Sequence, residues 1–347
     1  MIYSNTYEQD LLKAQKNIRN IEELNNTKVL ITGATGMIGS ALVDIIMNKN
    51  LYDNDKVQVY AAARKEETLR NRFFEHMDKE EFHFIPYDAN QEFCSEIQFD
   101  YIICGASNAN PAKYVEEPVE TMLTNINGIN GLLQHAVKQK KGRVLYISSS
   151  EVYGNKKDNM PYSENDYGYI DLLNARACYP ISKQAGETLC IAYEKEYKVD
   201  TVIVRPGHIY GPTMSESDTR ASSQFPKDIL NTGIINMKSK GEQIRSYCYV
   251  LDCASAILTV LINGISGEAY NISNKNSIVT IKEMAEMFTE AGKGKIVYSI
   301  PSNAEKEGYN MMVNSSLKSD KLEKLGWEGL FSMKEGAEHT IAILKGK

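Results

Sequence analysis

The sequence has no apolar run long enough to cross a membrane and no run of basic residues. A membrane-spanning helix needs about 20 predominantly apolar residues. The net charge of -6 disfavours a surface that binds nucleic acid. The first ten residues are polar and do not show the charged and apolar regions of a signal peptide. We therefore expect a cytoplasmic protein with no nucleic-acid partner and no membrane association.

Patterns typical of metal sites and disulfides are also missing. The six cysteines include no C-x-x-C pair, and the five histidines do not cluster near them. This excludes the usual zinc spacings and is typical of reduced, mostly buried thiols in a cytoplasmic protein. No internal repeat interrupts the 347 residues, whose composition is that of a globular chain with one large or two modest domains.

What the sequence does contain is a strand, a glycine turn and a helix in immediate succession. Residues 28–32 are apolar and rich in β-branched side chains, which predicts a buried strand. Gly33 permits a tight turn, Gly36 lets the backbone approach a pyrophosphate, and Gly39 lets the next helix pack closely. A glycine-rich structural turn is the alternative, but phosphate binding at the helix N-terminus suits this context better. The predicted dinucleotide contacts here are Gly33, Thr35, Gly36, Met37, Ile38 and Gly39.

The end of the second predicted strand, residues 57–63, bears on which dinucleotide binds. An NAD site usually has an acidic residue here to bind the ribose 2′-hydroxyl. In this chain the strand ends in alanines followed by Arg64. Because an arginine can bind a 2′-phosphate, this local chemistry allows NADP and favours it over NAD, although NAD is the cofactor that we expect for the chain as a whole. An exposed loop arginine is the alternative interpretation of Arg64.

Further strands alternate with helices and predict an α/β fold, a Rossmann-type doubly wound parallel sheet. The additional strands are predicted at residues 82–88, 99–107, 142–150 and 201–206, with a helix at 114–140. Ligands of such sheets bind beyond the carboxyl ends of the strands. Asp88 is therefore a candidate contact to the adenine, and Ala106 lies where a cofactor ribose would pass.

The pattern changes after residue 206, where a polar, irregular stretch at 213–245 begins. We expect an N-terminal helical arm at residues 1–26, a dinucleotide-binding domain at 27–206 with return elements near 245–262, and a smaller C-terminal α/β substrate-binding lobe, mainly 207–347. Arg220 and Arg245 lie in or beside this stretch. Guanidinium groups bind phosphates in a bidentate manner, although an exposed arginine is the commoner case.

Two stretches carry the candidate chemistry. Tyr179 and Lys183 are one turn apart on a predicted helix and share a face. We expect the ammonium to lower the pKa of Tyr179 from about 10, which would make it a base for a sugar or alcohol hydroxyl. An amphipathic helix with a surface tyrosine and lysine would show the same spacing.

The second stretch, residues 148–154, places three serines and Glu151 at the end of the fifth strand. Such groups are costly to bury without a purpose, and chemistry concentrates at strand ends in this architecture. A serine here can hydrogen-bond the reacting hydroxyl and share its proton with Tyr179, and Glu151 can act as a second acid or base. A serine-rich turn with an exposed glutamate is the alternative.

Together these motifs resemble the extended short-chain dehydrogenase/reductase family, specifically its nucleotide-sugar-modifying epimerases and dehydratases. The resemblance covers residues 27–290 and includes Gly33/Gly36/Gly39, Asp88, Asn125, Ser-Ser-Ser-Glu-Val-Tyr-Gly, Tyr179/Lys183, Arg205-Pro206 and Gly211-Pro212. It implies a tightly held nicotinamide cofactor contacted by Asn125, Tyr179 and Lys183, and a catalytic set that adds Ser149 or Ser150. It also implies a homodimer through helices near 115–140 and 175–197.

Within that family, several stretches are most similar to UDP-glucuronate decarboxylases. They are residues 106–114, 149–153, 176–179, 218–220 and 244–250. By this resemblance Glu151 and Arg245 bind the substrate carboxylate and handle the proton that replaces CO2, while Arg220 binds the nucleotide diphosphate, and Ser149 contacts the sugar. The chain departs from the subgroup between Tyr179 and Lys183, where Pro-Ile-Ser replaces an acidic sequence.

The alternatives share one first step, oxidation of the sugar at C4. A 6-carboxylate would then be lost as CO2, a 6-hydroxyl could be eliminated by a 4,6-dehydratase with Glu151 as base, or hydride could return to the opposite face in a 4-epimerase. A simple epimerase does not need Glu151. Two other classes stay open: a non-catalytic dinucleotide-binding regulatory protein, and a reductase of free NADPH suggested by Arg64. The family resemblance further implies a pathway of polysaccharide biosynthesis.

Overall fold

The computed structural model describes residues 3–107, 109, 111–300 and 312–346. The strands are β1 (Lys28–Thr32), β2 (Gln58–Ala63), β3 (Phe82–Pro86), β4 (Tyr101–Cys104), β5 (Arg143–Ile147), β6 (Asp200–Pro206), β7 (His208–Tyr210), β8 (Ile234–Met237), β9 (Ile244–Tyr249), β10 (Glu268–Ile272), β11 (Ile278–Thr280), β12 (Lys295–Tyr298) and β13 (Asn314–Ser315). The α-helices are α1 (Asn5–Lys16), α2 (Met37–Tyr52), α3 (Glu66–Arg72), α4 (Pro111–Glu116), α5 (Pro118–Gln139), α6 (Cys178–Tyr197), α7 (Ala221–Asn231), α8 (Val250–Asn263), α9 (Ile281–Gly292), α10 (Asp320–Glu323) and α11 (Met333–Leu344).

Seven parallel strands form the central sheet, in the order β10-β6-β5-β4-β1-β2-β3. Ile31 of β1 lies between Ala61 of β2 and Ile103 of β4, so the strand order reverses on either side of β1. The carboxyl ends of β1 and β4 thus border the crevice where doubly wound sheets bind their ligands. The predicted Rossmann-type α/β fold is confirmed.

Helices cover both faces of this sheet, which explains why its strands are apolar throughout rather than alternating. On one face α2 and α8 pack together through buried side chains such as Leu42 and Ile257. On the other face α5 and α6 pack together, with Ile129 and Cys190 in the buried cluster. None of the helices in the described part of the chain is long and apolar enough to cross a membrane.

The helix predicted at residues 114–140 is two helices, because a proline interrupts it. Pro118 is the first residue of α5, and Glu117 before it has φ -133° and ψ 58°, outside the helical region. A residue before proline is sterically disfavoured in the α conformation. The break separates α5 from α4, which carries Tyr114.

The C-terminal residues divide between the large sheet and a smaller set of strands. Strand β10 pairs with β6 in parallel, so the segment that returns to the main sheet extends to residue 272, beyond the predicted 245–262. Strand β9 pairs with β7, β11 and β13 in a second sheet, and β8 pairs with β12. We keep the division into arm, dinucleotide-binding domain and lobe as a proposal, with this longer return segment.

The predicted N-terminal arm contains α1, which contacts α2, α8 and α11. The fully buried carboxylate of Asp44 on α2 accepts hydrogen bonds from the hydroxyls of Tyr3 and Tyr7, both at 2.7 Å, and pairs with Arg72. Farther along α1, Asp10 accepts a hydrogen bond from Tyr249 of β9 at 2.9 Å. The arm is therefore attached both to the helix after the glycine turn and to the strand that carries Arg245.

The contact between Asp10 and His339 of α11 predicts a pH-dependent contribution to stability. The two side chains meet at 2.9 Å, and this hydrogen bond raises the pKa of His339. A raised pKa means that the contribution is complete below about pH 6.5 and is lost as the pH rises through the folded-state value. For a partly exposed pair we expect up to about 1 kcal/mol.

Thermal unfolding of the wild type and His339→Gln at pH 6 and pH 9 measures this contribution. The wild type should be the more stable protein at pH 6, and the difference should disappear at pH 9. A difference of the same size at both pH values would contradict the assignment to the charged histidine.

Candidate active site

The glycine turn between β1 and α2 is packed too tightly for side chains. Gly33 has φ +69°, and a Cβ there would lie 2.8 Å from the carbonyl oxygen of Gly105 at the end of β4. A Cβ on Gly39 would lie 2.2 Å from the Gly33 carbonyl oxygen. Gly36 is the N-cap of α2, whose first N–H groups have no partner within the helix. This narrow cradle of backbone donors fits the pyrophosphate of a dinucleotide.

The other predicted cofactor residues lie along the same edge of the sheet. Exposed Arg64 follows β2, Asp88 follows β3, and Ala106 follows β4 with its N–H directed to the Thr32 hydroxyl. Within the loop, Thr35 and Ile38 are partly exposed and Met37 is buried. These positions are compatible with the predicted contacts, which stay predictions.

Asn125 has a different environment from the other predicted cofactor residues. It is buried in α5, its amide donates to the Ser182 hydroxyl at 2.9 Å, and its oxygen accepts from the Ser107 hydroxyl at 2.7 Å. Both ends of this side chain are therefore used within the protein. Asn125 links the segment after β4 to α6, so we propose that it positions the cofactor site through these elements.

Tyr179 and Lys183 are both buried in the first turns of α6, as the spacing predicts. The Lys183 ammonium donates a 2.8 Å hydrogen bond to the carbonyl of Ile147, the last residue of β5. It lies 5.8 Å from the centre of the Tyr179 ring. Burial lowers the pKa of Lys183 to about 8. The lysine thus joins α6 to the end of β5.

The predicted lowering of the Tyr179 pKa by Lys183 is wrong for the protein alone. Burial, together with the charge of Glu151, raises the pKa of Tyr179 to about 12. Hydrogen bonds from Ser149 and Tyr114 and the charge of Arg220 act in the opposite direction. Removing the phenolate from water outweighs these contributions, and the nearest partner of the lysine is a backbone carbonyl.

The three serines at the end of β5 have distinct surroundings. Ser149 hydrogen-bonds Tyr179 and also accepts from the Glu151 N–H at 3.2 Å. Ser150 is buried and begins the short 3-10 turn Ser150–Tyr153. The Ser148 hydroxyl is buried, and no partner for it occurs among the described residues. Of the two predicted candidates, Ser149 is therefore the one next to Tyr179.

Glu151 forms a bidentate ion pair with Arg176, at 2.8 and 3.1 Å. Arg176 precedes α6 in the turn Ala175–Ala177 and was not among the predicted site residues. The Arg-Ala-Cys-Tyr motif that contains it was the available signal. Arg176 contacts both oxygens of Glu151, which is therefore an ion-pair acceptor in this arrangement.

Arg220 and Arg245 join this group from the C-terminal part of the chain. Arg220 pairs with Asp218 at 2.5 Å, and its charge acts on both Tyr179 and Tyr114. Arg245 is buried in β9, and its charge interacts with that of Glu151. The structure therefore gathers three guanidinium groups around these residues: the charge of Arg220 acts on Tyr179, and the charges of Arg176 and Arg245 act on Glu151.

Residues 29–273 match the sequence model of the NAD dependent epimerase/dehydratase family. The chain belongs to this family. NAD is therefore its cofactor, in agreement with the glycine cradle. Arg64 stays a candidate contact for the adenosine ribose.

Individual members of the epimerase/dehydratase family differ in their reactions. UDP-glucuronic acid decarboxylase 1 of Xenopus tropicalis is 31% identical over 327 residues, 93% of this chain and 73% of its own. A dTDP-glucose 4,6-dehydratase from Streptomyces venezuelae, solved with NAD, is 23% identical with TM-score 0.78, covering 92% of this chain and 97% of its own. A UDP-glucuronic acid 4-epimerase from Bacillus cereus was solved with UDP-glucuronic acid and NAD. It is 21% identical with TM-score 0.76, and the match covers 92% of this chain and 99% of the epimerase. The two solved structures share the fold.

Two further residues of this family member lie at the site without having been predicted. The ring of Tyr114 stacks on that of Tyr179. His208 of β7 has a buried Nδ1 with no partner among the described residues. Burial and the charges of Arg245 and Arg220 lower the pKa of His208 to about 3, so it is neutral at ordinary pH. Tyr114 ends the stretch 106–114 that resembles the decarboxylases, whereas His208 belongs to no pattern that indicates its position.

Proposed function

We propose that this protein oxidises a nucleotide sugar at C4 and is a UDP-glucuronic acid decarboxylase. The observation that carries the proposal is the convergence of Arg176, Arg220 and Arg245 on the surroundings of Tyr179. UDP-glucuronic acid has a sugar carboxylate in addition to its diphosphate, and guanidinium groups bind both. A neutral hexose would require only the diphosphate contacts.

Tyr179 takes the proton of the sugar 4-hydroxyl in this proposal. Ser149 hydrogen-bonds the same hydroxyl, and the Arg220 charge favours the phenolate that accepts the proton. NAD, when bound, accepts the hydride from C4 and later returns it. Lys183 fixes α6 against β5 through the Ile147 carbonyl, so that Tyr179 lies beside Ser149.

Oxidation at C4 converts the sugar into a β-keto acid, because C5, which bears the 6-carboxylate, is adjacent to the new C4 carbonyl. The C5–C6 bond then breaks, CO2 leaves, and the electron pair of this bond passes into the C4 carbonyl as an enolate, which takes up a proton from water at C5. Arg245 orients the carboxylate, and Arg220 binds the diphosphate. Glu151 holds Arg176 beside the sugar through their bidentate pair.

The pair between Glu151 and Arg176 favours decarboxylation over dehydration. A 4,6-dehydratase must remove the C5 proton with a base, and Arg176 holds both oxygens of Glu151 in an ion pair that this step would have to disturb. Loss of CO2 creates the same carbanion without removal of a proton. A C4 epimerase acting on an acidic sugar is the second candidate, because the cationic surroundings suit the same substrate.

Proton NMR of the NAD-loaded protein with UDP-glucuronic acid tests the proposal. We expect a pentose anomeric signal, release of CO2 and no net change in NADH. Appearance of UDP-galacturonic acid would identify the epimerase instead. An unchanged spectrum from folded, NAD-loaded protein would contradict both, and UDP-, dTDP-, GDP- and CDP-hexoses would then be tested. Net consumption of NADPH would indicate a reductase, and absence of any turnover a regulatory protein.

We further propose a cytoplasmic homodimer that serves polysaccharide biosynthesis, as the family resemblance implies. Helices α5 and α6 pack side by side and expose apolar side chains, among them Val119, Leu123 and Ile191. Burial of such side chains against a second copy would stabilise a dimer. Light scattering of the purified protein measures its molar mass in solution, which should be twice that of one chain.

A further inference from the structure

Tyr114 lies face to face with the reacting tyrosine. Its ring is 2% exposed, the ring centroids of Tyr114 and Tyr179 are 4.5 Å apart, and the ring planes are inclined by 12°. The Arg176 guanidinium lies 5.5 Å from the centre of the Tyr114 ring. Tyr179 is thus confined between α6 and the short helix α4, which the break at Pro118 separates from α5.

The two phenols differ in which of them can ionise. Burial and the charges of Tyr179 and Glu151 raise the pKa of Tyr114 well above its ordinary value, so Tyr114 keeps its proton and can act as a donor. The hydrogen bond from Tyr114 lowers the pKa of Tyr179. An O–H that donates to a charged oxygen favours the charged form.

We propose that Tyr114 is a positioning residue for Tyr179, holding its ring by stacking and stabilising its phenolate by donating a hydrogen bond. This inference rests on the proposed function, in which Tyr179 accepts the proton of the sugar hydroxyl. The sequence spacing suggested that Lys183 both shares a helix face with Tyr179 and stabilises its phenolate, and in this proposal two residues divide these roles. Lys183 anchors α6 to the Ile147 carbonyl, and Tyr114 supplies the donor to the phenol.

Other charged and polar groups also affect the pKa values of Tyr114 and Tyr179, and the substitution tested below leaves those groups unchanged. From the turn after β5 the pair faces Ser149 and Glu151. From α6 and the turn before it come Arg176, Cys178 and Lys183, and from the segment before α7 comes Arg220. A substitution that removes only the Tyr114 hydroxyl leaves all of these groups in place.

Tyr114→Phe keeps the stacked ring and removes the donor. In the wild type kcat should rise with pH as Tyr179 ionises, and in Tyr114→Phe we expect the midpoint of this rise to move upward by about one pH unit. At pH 8 kcat should then be about tenfold lower, with KM little changed. Tyr60→Phe is the matched control, because Tyr60 stacks on His83 in the outer part of the sheet, and its pH profile should equal that of the wild type. A raised KM with an unshifted profile would overturn the proposal and indicate direct substrate binding.

A second measurement does not depend on turnover. A ring-fluorinated tyrosine at position 179 is intrinsically more acidic, which brings its titration into the pH range where the protein is folded, and its ¹⁹F signal reports ionisation. In the NAD-loaded protein, Tyr114→Phe should raise the titration midpoint by about one unit. An unchanged midpoint would refute the role of Tyr114 even if UDP-glucuronic acid is decarboxylated. A shifted midpoint without turnover would refute the proposed function and leave the tyrosine pair standing.

Discussion

Tyr179→Phe is expected to reduce turnover of the nucleotide sugar by about 10²–10⁴-fold while the protein still folds and binds NAD. General acid–base catalysis by one side chain contributes a factor of this size. The ring of Tyr179 is buried and stacked on Tyr114, and phenylalanine keeps that packing. Turnover would be followed by NMR, and NAD binding by calorimetry.

Alanine substitutions at Ser149 and Ser150 serve as matched companions to this experiment. Ser149 hydrogen-bonds Tyr179, whereas Ser150 begins the adjacent 3-10 turn, so Ser149→Ala should lose more activity than Ser150→Ala. The reverse order would assign the hydroxyl role to Ser150. Full turnover by Tyr179→Phe would contradict the proposed chemistry, because another group would then have to take the proton of the sugar hydroxyl.

Glu187→Gln should destabilise the protein by about 3 kcal/mol or more, the second large effect that we expect. Glu187 of α6 and Arg205 of β6 form a buried bidentate pair with distances of 2.9 and 2.6 Å. Arg205 also donates to the Tyr153 hydroxyl at 3.0 Å, which fixes the turn after β5. Removal of the carboxylate charge leaves a buried guanidinium without its counter-charge, and such losses typically cost about 3–5 kcal/mol.

Urea unfolding at one fixed NAD concentration measures this loss, because bound cofactor itself contributes to stability. Glu66→Gln is the control, since Glu66 and Arg70 also form a glutamate–arginine ion pair, one helical turn apart, but at least half of each side chain is exposed. We expect the control to lose only about 0.3–0.5 kcal/mol. Equal losses in the two variants would show that the buried pair has no special role in the fold.

Much of the central fold follows from local sequence patterns. The bounds predicted for β1 agree with the structure, and β2 to β6 were placed within a few residues, because apolar β-branched runs need both faces covered. Thr280 caps α9 through a capping box with Glu283, a contact between residues only three apart in the sequence. The break before Pro118 was missed because the apolar pattern continues across it, although the proline itself was a readable signal.

The candidate site was predictable in its parts and unpredictable in its pairings. Tyr179, Lys183 and Glu151 are near one another as expected, since strand ends and the start of α6 meet at one edge of the sheet. The partner of Glu151, however, is Arg176, 25 residues away along the chain. The ring that covers Tyr179 comes from α4. No periodicity in the sequence specifies contacts between separate elements.

The sequence by itself determined the kind of protein this is. The glycine turn, the alternation of strands and helices and the Tyr-x-x-x-Lys spacing are local patterns, and backbone geometry converts them into a Rossmann-type sheet with its site at the strand ends. Only the tertiary structure decided the electrostatics of that site. The pKa of Tyr179 rises because folding buries it, and the charge of Glu151 is compensated because folding brings Arg176 to it. Burial and charge pairing depend on distances in space, which sequence separation does not reveal.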